Sequence, residues 1–209
     1  MTLSIPRDRT TVWAAVSLTA ATTLAWIGIA TAPHSMALGG YLAAWTLMMT
    51  AMMLPSIAPL VLLYRGSRLM LTLGYLLVWS ALGLVPFALM EWSMTTEPGR
   101  AAAVLALAGV YELTPLKRAC LRHCQSPATF LMQRFDRSAV RLGVEHGIWC
   151  TGCCIGLMAV LVFAAAMSLL WAAALAAIVF VQKVLPAGAA PAWMTGVILI
   201  GLAALIWFR

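Results

Sequence analysis

Long apolar runs are the feature that most constrains how this chain can fold. Six of them carry few charges, at residues 12–30, 41–64, 69–91, 101–113, 147–170 and 192–208. A helix needs about 20 apolar residues to cross about 30 Å of hydrocarbon, and these runs lack the alternation of a membrane β-strand. The chain of 209 residues is 64% hydrophobic and only 9% charged, outside the range of soluble globular domains. The sequence predicts an all-α fold, a polytopic helical membrane bundle of about six spans.

The number of spans depends on residues 147–183. This stretch has no proline, and it has no turn cluster after Gly156. We therefore expect one long helix that projects past the membrane or bends along it. A hairpin near Met167 would make seven spans, which would move the C-terminus to the other side and leave the cysteines in place.

The basic residues predict an orientation for the spans. Six spans place both termini on one side, and of the 13 lysines and arginines only Arg100 and Lys183 fall on the other side. Positive residues near span ends stay cytoplasmic, so we expect a cytoplasmic N-terminus. The net charge of +7 then reflects a face that meets anionic lipid, and no nucleic acid partner is expected.

One polar segment interrupts the apolar runs, and no linker, repeat or low-complexity tract divides the chain. We therefore expect residues 1–209 to form a single integral membrane domain with a basic cytoplasmic loop at about 116–145. Within that loop, Thr114 and Pro115 are typical of a helix start, and Ser126 with Pro127 is typical of its end.

The cysteines of the chain form two clusters, one on the helix within this loop and one at the start of the apolar run that follows it. Each cluster lies at helical spacing together with one histidine, so each helix presents one stripe of soft ligands at the cytoplasmic end. We expect the two stripes to converge on a shared metal site. The candidate ligands are Cys120, His123, Cys124, His146, Cys150, Cys153 and Cys154.

Glycines occupy another face of the second cysteine helix. Gly152 and Gly156 form a G-x-x-x-G pattern on the side away from the thiols. Such a pattern lets a neighbouring helix approach closely. The thiols would then face a second neighbour and not lipid.

The ligand types favour a soft metal over thiol redox chemistry or simple packing. Thiolates and imidazoles suit Zn(II), Cu(I) and iron–sulfur clusters. A methionine stripe in the second apolar run adds thioethers, whose pairing with thiolates is typical of Cu(I), although methionine also fills apolar gaps. Copper is therefore the leading metal, with zinc or an iron–sulfur cluster as rivals. The stripe, a second metal site or an onward path, consists of Met48, Met49, Met52 and Met53.

Glu112 is an acidic residue at the end of the fourth apolar run. It is either part of that second site or path, or the partner of Lys117 or Arg118. The run before it is too short to cross a membrane alone, so the chain either continues through a kink at Pro115 or breaks there.

Three segments of the chain carry a resemblance to a known family. They read W-T-L-M-M-T-A-M-M-L-P-S-I-A-P, Y-E-L-T-P-L-K-R-A-C-L-R-H-C-Q-S-P and H-G-I-W-C-T-G-C-C-I-G-L-M. In that order they resemble the bacterial domain-of-unknown-function family described as predicted metal-binding integral membrane proteins, over about residues 45–183. The resemblance implies a multi-pass protein of the bacterial inner membrane and a metal role for the cysteines of both motifs. It implies no established reaction.

The function expected from these features is copper handling. The chain would bind Cu(I) through its cysteines and deliver it to a membrane metalloprotein, with lipid and another metal-handling protein as partners. No catalytic residue is predicted. The alternatives are a thiol oxidoreductase that uses Cys150 and Cys153, with Cys120 and Cys124 as a relay, or an assembly subunit with a structural zinc or iron–sulfur site.

Overall fold

The structure is a computed structural model that describes residues 8–31, 37–89, 98–134, 136–164, 168–184 and 190–208. Within these ranges the chain forms α-helices and no strand, which confirms the all-α prediction for this part of the chain. The helices are α1 (Arg9–Thr31), α2 (Leu38–Leu63), α3 (Arg68–Leu82), α4 (Leu84–Ala88), α5 (Pro98–Leu113), α6 (Pro115–Gln125), α7 (Pro127–Met132), α8 (Ala139–Phe163), α9 (Leu169–Val184) and α10 (Ala190–Trp207).

Five helical segments of the described ranges are long and apolar enough to cross a membrane. They are Arg9–Thr31, Leu38–Leu63, Arg68–Ala88, Ala139–Phe163 and Ala190–Trp207. The fourth predicted span falls on α5, which has 16 residues, and α9 is a shorter apolar helix. Length and composition thus support five of the six predicted spans.

The prediction of one long helix over residues 147–183 is wrong. The structure ends α8 at Phe163 and starts α9 at Leu169. Ser168 caps the new helix, because its Oγ accepts a hydrogen bond from the Trp171 amide at 3.3 Å. A lone serine in an apolar stretch is a weak stop signal, and the proposed hairpin position, Met167, lies outside the described residues.

The helices pack into two compact units, and the prediction of a single domain stays a prediction. The first unit comprises Met1–Leu84 and Ser126–Trp149. In it, α2 is tied to α3 by two side chains: Trp45 Nε1 donates to the Trp79 carbonyl at 2.8 Å, and Thr46 Oγ1 contacts Ser80 Oγ at 3.0 Å. The first half of α8 lies close to α3, since a Cβ added at Gly143 would meet the Leu71 carbonyl oxygen.

The second unit comprises Val85–Gln125 and Cys150–Arg209. Its main packing pair is α5 with α10, which cross where both helices carry a glycine. A Cβ added at Gly109 would lie 2.8 Å from the Gly196 carbonyl oxygen, and one at Gly196 would lie 2.8 Å from the Gly109 oxygen. Small residues at this crossing let the two backbones touch.

Thr114 separates α5 from α6, so the chain breaks before Pro115. Thr114 Oγ1 accepts a hydrogen bond from the Lys117 amide at 3.2 Å, as an N-cap does, and Pro115 is the first residue of the helix. The helix ends at Gln125, directly before Ser126 and Pro127. Both predicted boundaries of this helix are confirmed. The break at Thr114 sets the direction in which α6, with its cysteines, leaves the end of α5.

Candidate metal centre

Three cysteines of α8 form a compact group of thiols in the second unit. The sulfurs of Cys150, Cys153 and Cys154 all lie within 4.8 Å of one another. Spacings of three and four residues place them on one helix face, as the sequence predicted. Their side chains are 0%, 1% and 1% exposed, so the group is shielded from solvent. We call these three residues the thiol triad.

A fourth sulfur reaches the thiol triad from another helix. Cys124, in the last turn of α6, places its Sγ 3.6 Å from Cys153 Sγ. Cys153 Sγ is in turn 3.4 Å from Cys154 Sγ. The predicted convergence of the two cysteine helices is therefore observed for Cys124, and no disulfide joins these cysteines.

Cys120 lies on the glycine face of α8. A Cβ added at Gly152 would lie 2.8 Å from Cys120 Sγ, so the thiol fills the space that the missing side chain leaves. The hydroxyl of Tyr111 donates to the Gly152 carbonyl, and Ala108 and Tyr111 pack against Gly156. The prediction of close helix packing at the G-x-x-x-G face is confirmed. Burial raises the pKa of the Cys120 thiol.

The two candidate imidazoles have other neighbours. His123 Nδ1 lies 2.9 Å from the Ala119 carbonyl oxygen of its own helix. His146 belongs to the first unit, where its ring lies edge-on to Phe130 at 5.3 Å and tilted against Tyr75 at 6.0 Å. Among the described residues, the group whose ligand atoms all lie within 4.8 Å of one another contains only the thiols of the triad.

Lys183 contacts the thiol triad directly, and the sequence did not indicate this. Its Nζ lies 2.8 Å from Cys150 Sγ, and the residue is only 5% exposed. The prediction that Lys183 lies on the opposite side from the cysteines is wrong, because α9 is a separate helix whose last turn returns to the level of Cys150. A lysine in the last turn of a short apolar helix was the available signal.

Glu112 belongs to a buried polar network beside this contact. Lys117 Nζ lies 2.6 Å from Glu112 Oε1 and 2.9 Å from Gln182 Oε1. Gln182 Nε2 donates to Glu112 Oε2 at 2.9 Å and to Thr195 Oγ1 at 3.1 Å. The structure thus pairs Glu112 with Lys117, one of the two partners expected for it. Gln182 is a further polar residue that the sequence did not single out.

The methionine stripe lies on α2 in the first unit. Its side chains are 0% to 5% exposed, as are those of Leu54, Ile57 and Leu60 of the same helix. These surroundings are those of an apolar core, in which methionine fills irregular space. A role of the stripe in metal binding or as a path stays a prediction.

Comparison with known proteins supplies a family for this site. A family model described as PpoB2, copper chaperone, matches residues 42–206. The chain belongs to the PpoB2 copper chaperone family. The matched residues include α6 and α8, so the thiol triad and Cys124 lie within the region that matches the PpoB2 family model. No curated protein and no solved structure matches the chain.

The PpoB2 match and the thiol triad agree on the class of ligand. The resemblance to a metal-binding family is supported, because both the family description and the three buried thiols point to a metal. Thiolates are ligands that Cu(I) prefers, so the donor set fits the copper that the family description names.

Proposed function

We propose that this protein is a membrane copper chaperone that holds Cu(I) on the thiol triad and delivers it to a membrane metalloprotein. One observation carries the proposal. Three buried thiols lie within 4.8 Å of one another in a chain of the copper chaperone family. The metal is the cargo of such a protein, so the triad is a loading site and not a catalytic one.

The donor set supports Cu(I) over harder ions. Hard cations such as Mg(II) and Ca(II) are held by oxygen, whereas soft thiolates suit Cu(I) and Zn(II), and of these two metals the family description names copper. In the second unit, Glu112 is the acidic residue that the structure describes, and its two oxygens are engaged by Lys117 and Gln182. Sulfur is therefore the donor that the surroundings of the triad offer to a metal.

Cys124 has the position of an exchange ligand. It belongs to a different helix from the triad, yet its sulfur is 3.6 Å from Cys153 Sγ. A chaperone must give up its metal, and sulfur ligands that can replace one another lower the barrier to transfer. In this proposal Cys124 binds to the metal or leaves it, while the thiols of the triad supply the other ligands.

Exposed apolar residues support a membrane location. Helix α1 presents Trp13 at 68%, Leu24 at 65% and Ile27 at 55% exposure. Apolar faces of this size are unfavourable in water and match a lipid surface. Our proposal places six or more helices, with α5 among them, across the bacterial inner membrane, so that the N-terminus and the cysteines lie at the cytoplasmic side. In this arrangement Lys183, which contacts Cys150, lies at that side as well.

Metal analysis of the purified protein tests the proposal. The full chain is produced in medium with equal copper, zinc and iron, purified in detergent without chelators, and assayed by elemental analysis. We expect copper to exceed both other metals in the wild-type protein and to fall to background in the variant Cys150→Ala/Cys153→Ala/Cys154→Ala. If the wild-type protein carries no copper, zinc or iron above background, metal handling is not its function.

A thiol oxidoreductase is the second candidate, and the contact between Cys124 and Cys153 favours it. Their sulfurs are 3.6 Å apart, so a small movement would allow a disulfide. Thiol trapping after mild oxidation should then show a reversible bond between these residues, or between Cys150 and Cys153. If all three thiols trap as free thiols after oxidation, this candidate is excluded.

A further inference from the structure

Lys183 brings a buried positive charge to the sulfur of Cys150. The distance between Nζ and Sγ is 2.8 Å, and Lys183 and Cys150 are 5% and 0% exposed. Burying a charge is costly unless an opposite charge accompanies it. A cysteine that becomes a metal-bound thiolate supplies such a charge.

The other lysine of the chain is balanced differently. Lys117 is also buried, but its Nζ contacts a carboxylate, Glu112 Oε1, at 2.6 Å. That pair is close to neutral without any metal. The Nζ of Lys183 lies against a sulfur of the triad, so its charge is placed to offset negative charge on that sulfur when the thiols bind a cation as thiolates.

The net charge of a copper site depends on how many thiolates bind the metal, so a nearby positive charge affects the coordination number. Two thiolates with Cu(I) carry a net charge of about −1, and three carry about −2, by counting unit charges. The second arrangement is the harder one to bury, because uncompensated charge in a low dielectric is strongly penalised. One ammonium group at the triad offsets the additional thiolate.

We propose that Lys183 sets the coordination number of the copper site, because its ammonium group compensates the charge of a third thiolate on Cu(I). This inference rests on the proposed copper-binding function. Lys183 contacts a ligand and not the metal, so its role is that of a positioning and charge-compensating residue. It would also favour a monovalent soft cation over a divalent one, because a divalent cation on the same thiolates leaves less negative charge for Lys183 to compensate.

The surroundings of Lys183 hold it in place. Gln125 Nε2 donates to the Gln182 carbonyl at 2.7 Å, and the Gln182 side chain is bonded to Glu112 and Lys117. The last turn of α9 is therefore held at Gln182, next to Lys183, by groups outside the triad. Because the backbone of this turn is held in place, the ammonium group of Lys183 can compensate a thiolate without a large conformational change.

X-ray absorption at the copper edge tests the inference on the full chain loaded with Cu(I). We expect three sulfur neighbours in the wild-type protein and two in Lys183→Met, with Cu(I) affinity lowered about tenfold or more in the variant. The control, Arg118→Met, also removes one positive charge from this unit, but at an exposed position, and it should keep three sulfurs. Three sulfurs and unchanged affinity in Lys183→Met would overturn the inference.

A double-variant cycle separates this role from a general effect on folding. In the background Cys124→Ala/Cys154→Ala, the site holds copper with two thiolates and needs less compensation. Lys183→Met should then lower the affinity less than about threefold, against about tenfold in the wild-type background. Equal losses in both backgrounds would overturn the inference. A wild-type protein that binds no Cu(I) would instead remove the proposed function on which it rests.

Discussion

The thiol triad and the methionine stripe are two buried groups of sulfurs, and they differ in their surroundings. The triad receives a fourth sulfur from another helix, Cys124, and a lysine from a third, Lys183. The stripe lies on one helix, whose other buried residues are mostly aliphatic. Both groups follow helical spacing in the sequence. Convergence of several helices and a charged neighbour are therefore the features that we use to separate a candidate metal site from sulfur that fills space.

Removal of the triad is the change with the largest expected effect. The variant Cys150→Ala/Cys153→Ala/Cys154→Ala should lower Cu(I) affinity by more than about 100-fold and each single replacement by about tenfold or more, since even residues outside the ligand shell cost about 10- to 100-fold. Competition with a chromogenic Cu(I) chelator in detergent measures this. Cys120→Ala is the matched control, because Cys120 packs against Gly152, and it should stay within about threefold of the wild type. Equal losses of affinity in the three single replacements of the triad and in Cys120→Ala would contradict the assignment of copper to the thiol face of α8 and of packing to its glycine face.

Loss of the Glu112 charge should destabilise the fold without changing the metal content of the folded protein. Glu112→Gln leaves the ammonium of Lys117 without a compensating carboxylate, and breaking a buried ion pair in this way costs about 3–5 kcal/mol. Thermal unfolding in detergent measures the loss of stability. The double variant Glu112→Gln/Lys117→Met should recover part of it. A loss of bound copper with unchanged stability would instead make Glu112 part of a metal site.

Replacement of Cys124 should have an intermediate effect. Cys124→Ala leaves the triad intact but removes the sulfur that lies 3.6 Å from Cys153 Sγ. We expect a loss of Cu(I) affinity of about tenfold and slower transfer of copper to an acceptor chelator. Stopped-flow measurement of that transfer checks the exchange role. A transfer rate equal to that of the wild type would show that Cys124 takes no part in release.

The methionine stripe should give the smallest effect. The variant Met48→Leu/Met49→Leu/Met52→Leu/Met53→Leu keeps volume and apolar character, and each such exchange usually costs less than about 1.5 kcal/mol. Cu(I) affinity should stay within about threefold of the wild type, because the triad is unchanged. Measurement of copper supply in cells tests the onward path. Normal affinity with lost copper supply would show that the stripe carries copper, whereas normal supply would show that it fills the core.

The sequence predicted the parts of the structure that depend on local chemistry. Thr114 and Pro115 start α6 because a capping hydroxyl and a fixed proline dihedral act within one turn. The spacing of Cys150, Cys153 and Cys154 on one face follows from helix geometry alone. These features need no knowledge of neighbouring helices.

The parts that the sequence did not predict depend on distant contacts. The break between α8 and α9 rests on one serine cap within an apolar stretch, so Lys183 was assigned to the wrong side. Cys120 and Cys124 share a helix face by spacing, but they contact different residues of α8. The sulfur of Cys120 lies at Gly152, and the sulfur of Cys124 lies at Cys153. Such a division is decided by how three helices pack, which helical periodicity does not contain.

Copper-edge X-ray absorption of the loaded wild-type protein tests the central claim most directly, because it identifies the atoms bound to the metal. We propose that the protein holds Cu(I) through the thiols of α8. We therefore expect reduced copper with sulfur as its only neighbour, and loss of this signal in Cys150→Ala/Cys153→Ala/Cys154→Ala. A copper environment of nitrogen and oxygen, or a sulfur environment that persists in that variant, would contradict it.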